Sequence, residues 1–540
     1  MTTFPDAAPA PTPVPRFHTL DEAIGHYAST RPRGWAMIEP AGRLSWTAYD
    51  GYITLLAARL LDLGLAAGDR VAVWLPDGVA VHVALAACVR AGLVATGIGA
   101  RSGHRELRHL LGRSGARALV TAPAMRDTDT RQLFDELRVD LPALTHHLNV
   151  HDVVPIPDGP VFDAAPPEVL AGARDRVTGH RGPTDRLALI NSTSGTTGLP
   201  KCVAHDERRW IAYHDYAVDA GELGADEVCM SVVPAPFGFG LWTSHFTPTL
   251  LGAPTVVVPR FDVRGTLRML EQERVTVLMA VSTQFVMLLG CPEFDDYDLS
   301  ALRIMYTGGE AVPLPKAEEF ERRTGSVILN MYGSNETGVQ SYTMVRDPAF
   351  KRLTTGGRLI PEAEVRLFDL DGREIGLHDG PGRPASIGVV SSLGYYNDPA
   401  ANALLYTEEG WMLMGDLVTI DDEGYLKVVG RTSDFIIRGG KNISAAAVEE
   451  EVSSHPEIVR CAAVAMPDEV FGERVCVYVV PKPGFDPSLG DIVAHLDARG
   501  VSREWFPERL IVVEELPTSD GGKLAKAVLR EDLRHRMRPS

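Results

Sequence analysis

Apolar positions along the chain follow two rhythms: short continuous runs, and longer stretches where they recur every three to four residues. The first rhythm predicts buried strands and the second amphipathic helices. Residues 36–39 and 43–46 read as a hairpin, followed by a helix over 47–64. Residues 69–76, 117–121, 186–191, 228–234, 252–259, 275–281 and 303–310 read as strands, with helices over 206–223 and 263–273. Strands separated by helices imply parallel pairing through right-handed crossovers. The stretch 79–100 is apolar almost throughout but carries His82 and Arg90. An unpaired arginine at a bilayer centre costs a few kcal/mol or more, so 79–91 reads as a buried helix turning at Gly92 into a strand. Between 140 and 186 the chain is rich in proline and aspartate with weak periodicity, and reads as a surface connection.

Beyond residue 433 about a hundred residues change pattern: a helix over 445–453, strands over 459–466 and 474–481, and a helix over 490–498. The expected fold class is therefore α/β. A large N-terminal domain of mixed, mostly parallel sheets flanked by helices (17–432) precedes a small mobile α+β domain (433–540), and residues 1–16 form a disordered tail. That Ala- and Pro-rich tail lacks the basic start and apolar run of a signal peptide.

With 540 residues, 45% of them hydrophobic and 23% charged, the chain has an ordinary globular composition. Its net charge of −18 opposes a nucleic-acid-binding face, so no nucleic-acid partner is expected, and Arg90 within the apolar stretch means that no membrane span is expected either. Six cysteines lie scattered without a Cys-x-x-Cys pair, which predicts neither a disulfide framework nor a zinc site and points to a reducing cytoplasm.

The chemistry concentrates in a few segments. Thr193-Ser194-Gly195-Thr196-Thr197-Gly198, followed by Pro200-Lys201, follows a strand. Glycines let backbone N–H groups converge, hydroxyls add donors, and Lys201 supplies a counter-charge, which suits a polyphosphate. The spacing is not that of a Walker loop, which needs four residues between its glycines. Ligands of open parallel sheets sit beyond the carboxyl ends of the strands. Gly308-Gly309-Glu310 and Asn330-Met331-Tyr332-Gly333-Ser334-Asn335-Glu336-Thr337 lie at such ends. Tyr332 offers a flat ring for a purine, and Glu336 a hard oxygen for magnesium. Asp416 can accept ribose hydroxyls, and Arg431 can contact ribose or phosphate. Phe237-Gly238-Phe239 and Trp242, together with Gln284 and Gly308, read either as the lining of a pocket for an apolar acid or as core packing. Arg438-Gly439-Gly440-Lys441 offers a close backbone approach for a slender ligand, and Lys523, after two glycines, a point charge for an oxyanion.

In this order, the segments resemble the adenylate-forming superfamily of acyl-CoA synthetases, adenylation domains and luciferases, from about residue 21 onward. The resemblance implies ATP-dependent activation of a carboxylic acid to an acyl-AMP and transfer to the thiol of coenzyme A, with Mg²⁺. It implies catalytic roles for Lys523, Glu336 and Thr337, adenine beside Gly308–Glu310, a hinge at Ser433, and a small domain that turns between half-reactions. A chain without an appended carrier segment favours CoA; a separate carrier protein and a homodimer stay open. Cys202, Gly238, Asn335, Ser433 and the Arg383-Pro-Ala-Ser segment depart from the family pattern. An enzyme that only thioesterifies a supplied acyl-adenylate is therefore a second reading.

Overall fold

The computed structural model describes residues 14–125, 127–155, 159–162, 164–193, 199–431, 434–438, 441–468, 470–519 and 523–537. Most of the expected tail, residues 194–198 of the expected phosphate loop, the expected hinge residue Ser433 and the pair Gly439-Gly440 lie outside that set.

The two largest sheets lie in the large domain. In the nine-stranded sheet, Val327–Ser334, Ile304–Gly308, Val277–Met279, Cys229–Ser231, Thr255–Val257 and Trp35–Glu39 run parallel in that order. Antiparallel strands close both edges, one of them Gly42–Ser45, the second arm of the expected hairpin. In the six-stranded sheet, Leu189–Ser192, Val94–Ile98, Arg70–Trp74, Ala118–Thr121 and His146–Asn149 are parallel, and Cys202–His205 folds back on the first of them. Residues such as Val71, Val73, Leu119, Val277 and Leu278 are fully enclosed. Burial on both faces explains why these strands appear in the sequence as unbroken apolar runs.

The apolar stretch after Pro76 forms the helix Val79–Arg90, enclosed within the domain. Arg90 is neutralised by Asp21 at 2.6 Å and Asp50 at 2.8 Å, and also donates to Thr54 Oγ1 at 2.7 Å. Among the described residues no helix is long and apolar enough to cross a membrane.

The segment 140–186 is more than the surface connection expected. It contributes the edge strand His146–Asn149 and the helix Pro167–Val177, which packs on the helix Trp46–Asp62. Only Leu170 and Ala173 of that helix are buried, too narrow a stripe to mark a period in the sequence.

A smaller antiparallel sheet follows, built on Ala363–Phe368, Arg383–Gly388 and Met412–Leu413. Arg383-Pro-Ala-Ser therefore forms a regular strand despite its unusual composition. The ribbon Asp416–Ile420 with Leu426–Arg431 leads to the small domain. There, five strands carry helices Ala445–Ser453 and Leu489–Ala498 on one face, and Lys526–Met537 on the other.

Candidate functional site

The site is built along the carboxyl edge of the nine-stranded sheet. Strand Ile304–Gly308 ends in two glycines that the backbone requires. A Cβ on Gly308 would meet the Met331 carbonyl oxygen at 2.5 Å. Gly309 has φ +75°, in the region glycine adopts without steric cost. The Lys523 ammonium, from the small domain, occupies the space a Cβ on Gly309 would need. Burial, reinforced by the Arg431 charge, lowers the Lys523 ammonium from its ordinary value; Glu310, Asp416 and Glu336 oppose that shift.

Tyr332 Oη donates to Asp416 Oδ2 at 3.1 Å, and Arg431 Nε donates to Asp416 Oδ1 at 2.8 Å. Burial, then Asp416, drives the Tyr332 phenol well above its usual range. The carboxylate is thereby fixed between a phenol and a guanidinium. Asn330 uses its amide to donate to Thr355 O at 2.8 Å, and Gly333 packs against the Gly338 carbonyl.

A tight turn presents Glu336. Ser334 Oγ accepts from the N–H groups of Glu336 at 3.2 Å and Thr337 at 3.0 Å. The Thr337 side chain is fully buried, 3.0 Å from the Ser334 hydroxyl. Tyr395 Oη donates to Glu336 Oε1 at 2.7 Å, and Lys201 Nζ lies over the Tyr395 ring, 4.4 Å from its centre. Main-chain bonds between 393–396 and the strand Cys202–His205 hold Tyr395 there.

Behind the turn lies a buried polar chain. Asn335 and Asn191 form a reciprocal amide pair: Asn335 Nδ2 donates to Asn191 Oδ1 at 2.6 Å, and Asn191 Nδ2 donates to Asn335 Oδ1 at 3.1 Å. Arg209 Nη1 approaches His205 Nδ1 at 2.5 Å, and a guanidinium can only donate. The His205 proton therefore sits on Nε2, which donates to Asn191 Oδ1 at 2.7 Å. Burial, then the Arg209 charge, holds His205 well below its ordinary value. Arg209 also donates to the Asn335 carbonyl at 3.1 Å and to Tyr213 Oη at 2.7 Å. Asn335 Oδ1 takes the space that a Cβ on Gly238 would fill.

The run from Phe237 continues as a helix whose second turn, Leu241–Phe246, is widened to π geometry. Trp242 is buried and meets Tyr213, Phe239 and Tyr306 edge-on, while Phe239 is only partly buried. Gln284 is committed to the main chain: it donates to Val232 O at 2.7 Å and accepts from Val281 N at 3.0 Å.

Strands Leu189–Ser192 and Cys202–His205 pair antiparallel, and just beyond them Thr193 N donates to Lys201 O at 3.1 Å. Cys202 is buried, its thiol pushed up to about 12, which makes it inert packing. In the small domain Arg438 pairs with Glu508 at 2.6 Å and lies over the Phe471 ring; Lys441 opens the next strand.

Tyr395, Asn191, His205 and Arg209, which bond to the candidate turn or to one another, were not among the residues expected from the sequence.

Family models for the AMP-binding enzyme and the AMP-binding enzyme C-terminal domain match residues 25–395 and 447–523. The chain belongs to the AMP-binding enzyme family. It is 32% identical over 496 residues to the medium-chain fatty-acid–CoA ligase of Escherichia coli, covering 91% of this chain and 86% of that one. It is 31% identical over 533 residues to the salicyl-AMP ligase / salicyl-S-ArCP synthetase of Mycobacterium tuberculosis, covering 95% and 90%. Its fold superposes on the anthranilate CoA ligase AuaEII in complex with anthranoyl-AMP, at TM-score 0.83 and 21% identity, covering 96% of this chain and 98% of that one. A large α/β domain and a small C-terminal domain are thus the family architecture, and the family member is an AMP-forming acid–thiol ligase.

Proposed function

We propose that this ligase activates an apolar carboxylic acid with ATP and passes the acyl group to coenzyme A. The observation that carries this reading is the meeting of Lys523, from the small domain, with Gly309, at the end of a central strand of the large one. The acid's carboxylate attacks the α-phosphorus of ATP, pyrophosphate leaves, and a thiol then displaces AMP from the mixed anhydride. Transfer at phosphorus needs little covalent help from the protein, so positioning and charge carry the first step. Lys523 supplies the cation nearest the strand end and steadies charge developing around phosphorus. Asp416, fixed by Tyr332 and Arg431, is the acceptor for ribose hydroxyls. The loop Thr193–Gly198, with Lys201, holds the outer phosphates. Adenine packs beside Gly308–Glu310.

Glu336 is the residue that would hold magnesium. The ion binds through one or two carboxylates together with substrate phosphates, and a single partly exposed carboxylate steadied by Tyr395 fits that demand. The ion supplies charge neutralisation on the phosphates. Thr337, its hydroxyl turned into the loop, positions Glu336.

The acid contacts the partly buried Phe239 ring and the Gly238 backbone; Trp242 and Gln284 form the wall behind. An aryl or medium-chain acid suits such a surface. Ser433 marks the boundary at which the small domain turns, bringing the Arg438–Lys441 hairpin forward for thioester formation. Relatives named as carrier-protein synthetases favour a second acceptor, the pantetheine of a separate carrier protein.

Lys523→Ala tests the two-pose reading. Acyl-AMP formation is expected to fall at least a hundredfold, given about 1.4 kcal/mol per factor of ten, while thiolysis of supplied acyl-AMP persists. An equal fall in both half-reactions would refute it.

A further inference from the structure

The Glu310 carboxylate is committed to protein contacts that join the two domains. Its Oε2 accepts from Thr283 N at 3.0 Å, and its Oε1 from the Thr283 hydroxyl at 3.3 Å. The same Oε1 accepts from the backbone N–H of Leu524 at 3.0 Å. Leu524 directly follows Lys523. A second small-domain group completes the arrangement: Arg460 Nη2, from strand Ile458–Asp468, donates to Thr283 Oγ1 at 2.9 Å. Arg460, Thr283, Glu310 and Leu524 therefore form one continuous hydrogen-bonded chain that leaves the small domain, crosses two large-domain residues and returns beside Lys523.

The direction of each bond is fixed by chemistry. The guanidinium only donates, so Thr283 Oγ1 accepts from it and spends its own proton on Glu310. Bonds that end on a carboxylate or start from a guanidinium are stronger than neutral ones. Both small-domain donors reach elements at the carboxyl edge of the nine-stranded sheet: Glu310 follows strand Ile304–Gly308, and Thr283 lies in helix Ser282–Leu289. A turn of the small domain must break the bonds from Arg460 and from Leu524 together.

From this geometry we infer that Glu310, Thr283 and Arg460 form an interdomain latch that selects the adenylation pose. The latch makes Arg460 a positioning residue for Lys523. The inference rests on the two-pose reading above. A group bonded in only one of two poses shifts their populations by its differential free energy. Loss of the latch therefore depletes the adenylation pose and spares the other.

Arg460→Met keeps the length of the apolar stem and removes the donor; Thr283→Val keeps the shape and removes the hydroxyl. Hydrogen exchange on the full chain, without substrates, reads the latch directly. Both variants are expected to raise amide exchange in the peptide spanning 518–528 by roughly tenfold, the factor that one charge-assisted bond commands. Acyl-AMP formation should fall by about the same factor, while thiolysis of supplied acyl-AMP stays within about twofold of wild type. Unchanged exchange in both variants overturns the latch, whatever the activity shows. Raised exchange with an equal loss in both half-reactions also overturns it, because the contact would then be a general brace. Exchange needs no turnover, so failure of the proposed activity would not mask failure of the latch.

Discussion

Asn335 and Asn191 face each other as a closed amide pair, each donating to the other at 2.6 and 3.1 Å. The pair ties strand Leu189–Ser192 to the turn that carries Glu336. Asn335 Oδ1 also fills the space left by the missing side chain of Gly238. The departures at Asn335 and Gly238 are therefore one feature: the carboxamide and the bare backbone fit together.

Two substitutions test that fit. Asn335→Leu removes the acceptor of Asn191 Nδ2, while Asn191 Oδ1 keeps its bond from His205, and an unsatisfied buried polar group costs about 1–3 kcal/mol. Gly238→His drives a side chain into Asn335. Each should lower kcat/KM for the acid by about tenfold or more, and the double variant should lose less than the sum of the two. Steady-state kinetics over the four proteins measures the coupling; strict additivity would contradict it.

Tyr395→Phe removes the bond that steadies Glu336 while keeping the ring under Lys201. A hydrogen bond to a charged group contributes about 1.5–3 kcal/mol. The Mg²⁺ concentration for half-maximal acyl-AMP formation should shift several-fold, with a smaller effect on KM for the acid. Titration of Mg²⁺ in both proteins checks this.

The depressed Lys523 ammonium sets an alkaline limit. Its charged form carries the stabilising role, and that form is lost as pH rises through a value below the ordinary lysine range. The limb belongs to the free enzyme, so it appears in kcat/KM for ATP. Lys523→Arg keeps its charge and should move the limb to higher pH, at reduced rate. Thiolysis of supplied acyl-AMP should lack the limb. Parallel pH profiles of the two half-reactions decide the point.

Asp77 gives a stability prediction away from the chemistry. Burial raises its carboxyl from the usual range to about 7, against the Ala235 and Gly78 amides that lower it. The folded protein binds this proton more tightly than the unfolded chain. The stability it contributes is complete below about pH 4 and is lost as pH rises to about 7. Asp77→Asn should therefore be more stable than wild type at pH 8, by up to about 4 kcal/mol at 1.36 kcal/mol per unit, and nearly equal to it at pH 4. Denaturant unfolding at the two pH values reads the difference.

The parallel strands were legible in the sequence because burial on both faces leaves unbroken apolar runs, as in Val277–Met279 and Ile304–Gly308. Arg90 correctly argued against a membrane span, since its partners Asp21 and Asp50 come from elsewhere in the fold. The helix Pro167–Val177 was not legible, because two buried side chains do not make a period. The same limit applied to the site. Tyr332, Asp416 and Lys523 were proposed from the order of their motifs, and the fold brings them to one edge of the sheet. Tyr395, Arg209 and Arg460 bond to partners 59, 126 and 177 positions away, and no local pattern encodes such a pairing. Glu310 was expected at the nucleotide edge; its bond from the Leu524 amide joins residues 214 positions apart, a pairing no local pattern encodes.

The most direct measurement gives the full chain ATP, Mg²⁺, coenzyme A and a panel of aryl and medium-chain acids, and quantifies products by mass spectrometry. For at least one acid, AMP and an acyl thioester should appear in equal amounts, with pyrophosphate and no ADP. Formation of ADP, or of AMP without any acyl group transferred from any acid, would contradict the account.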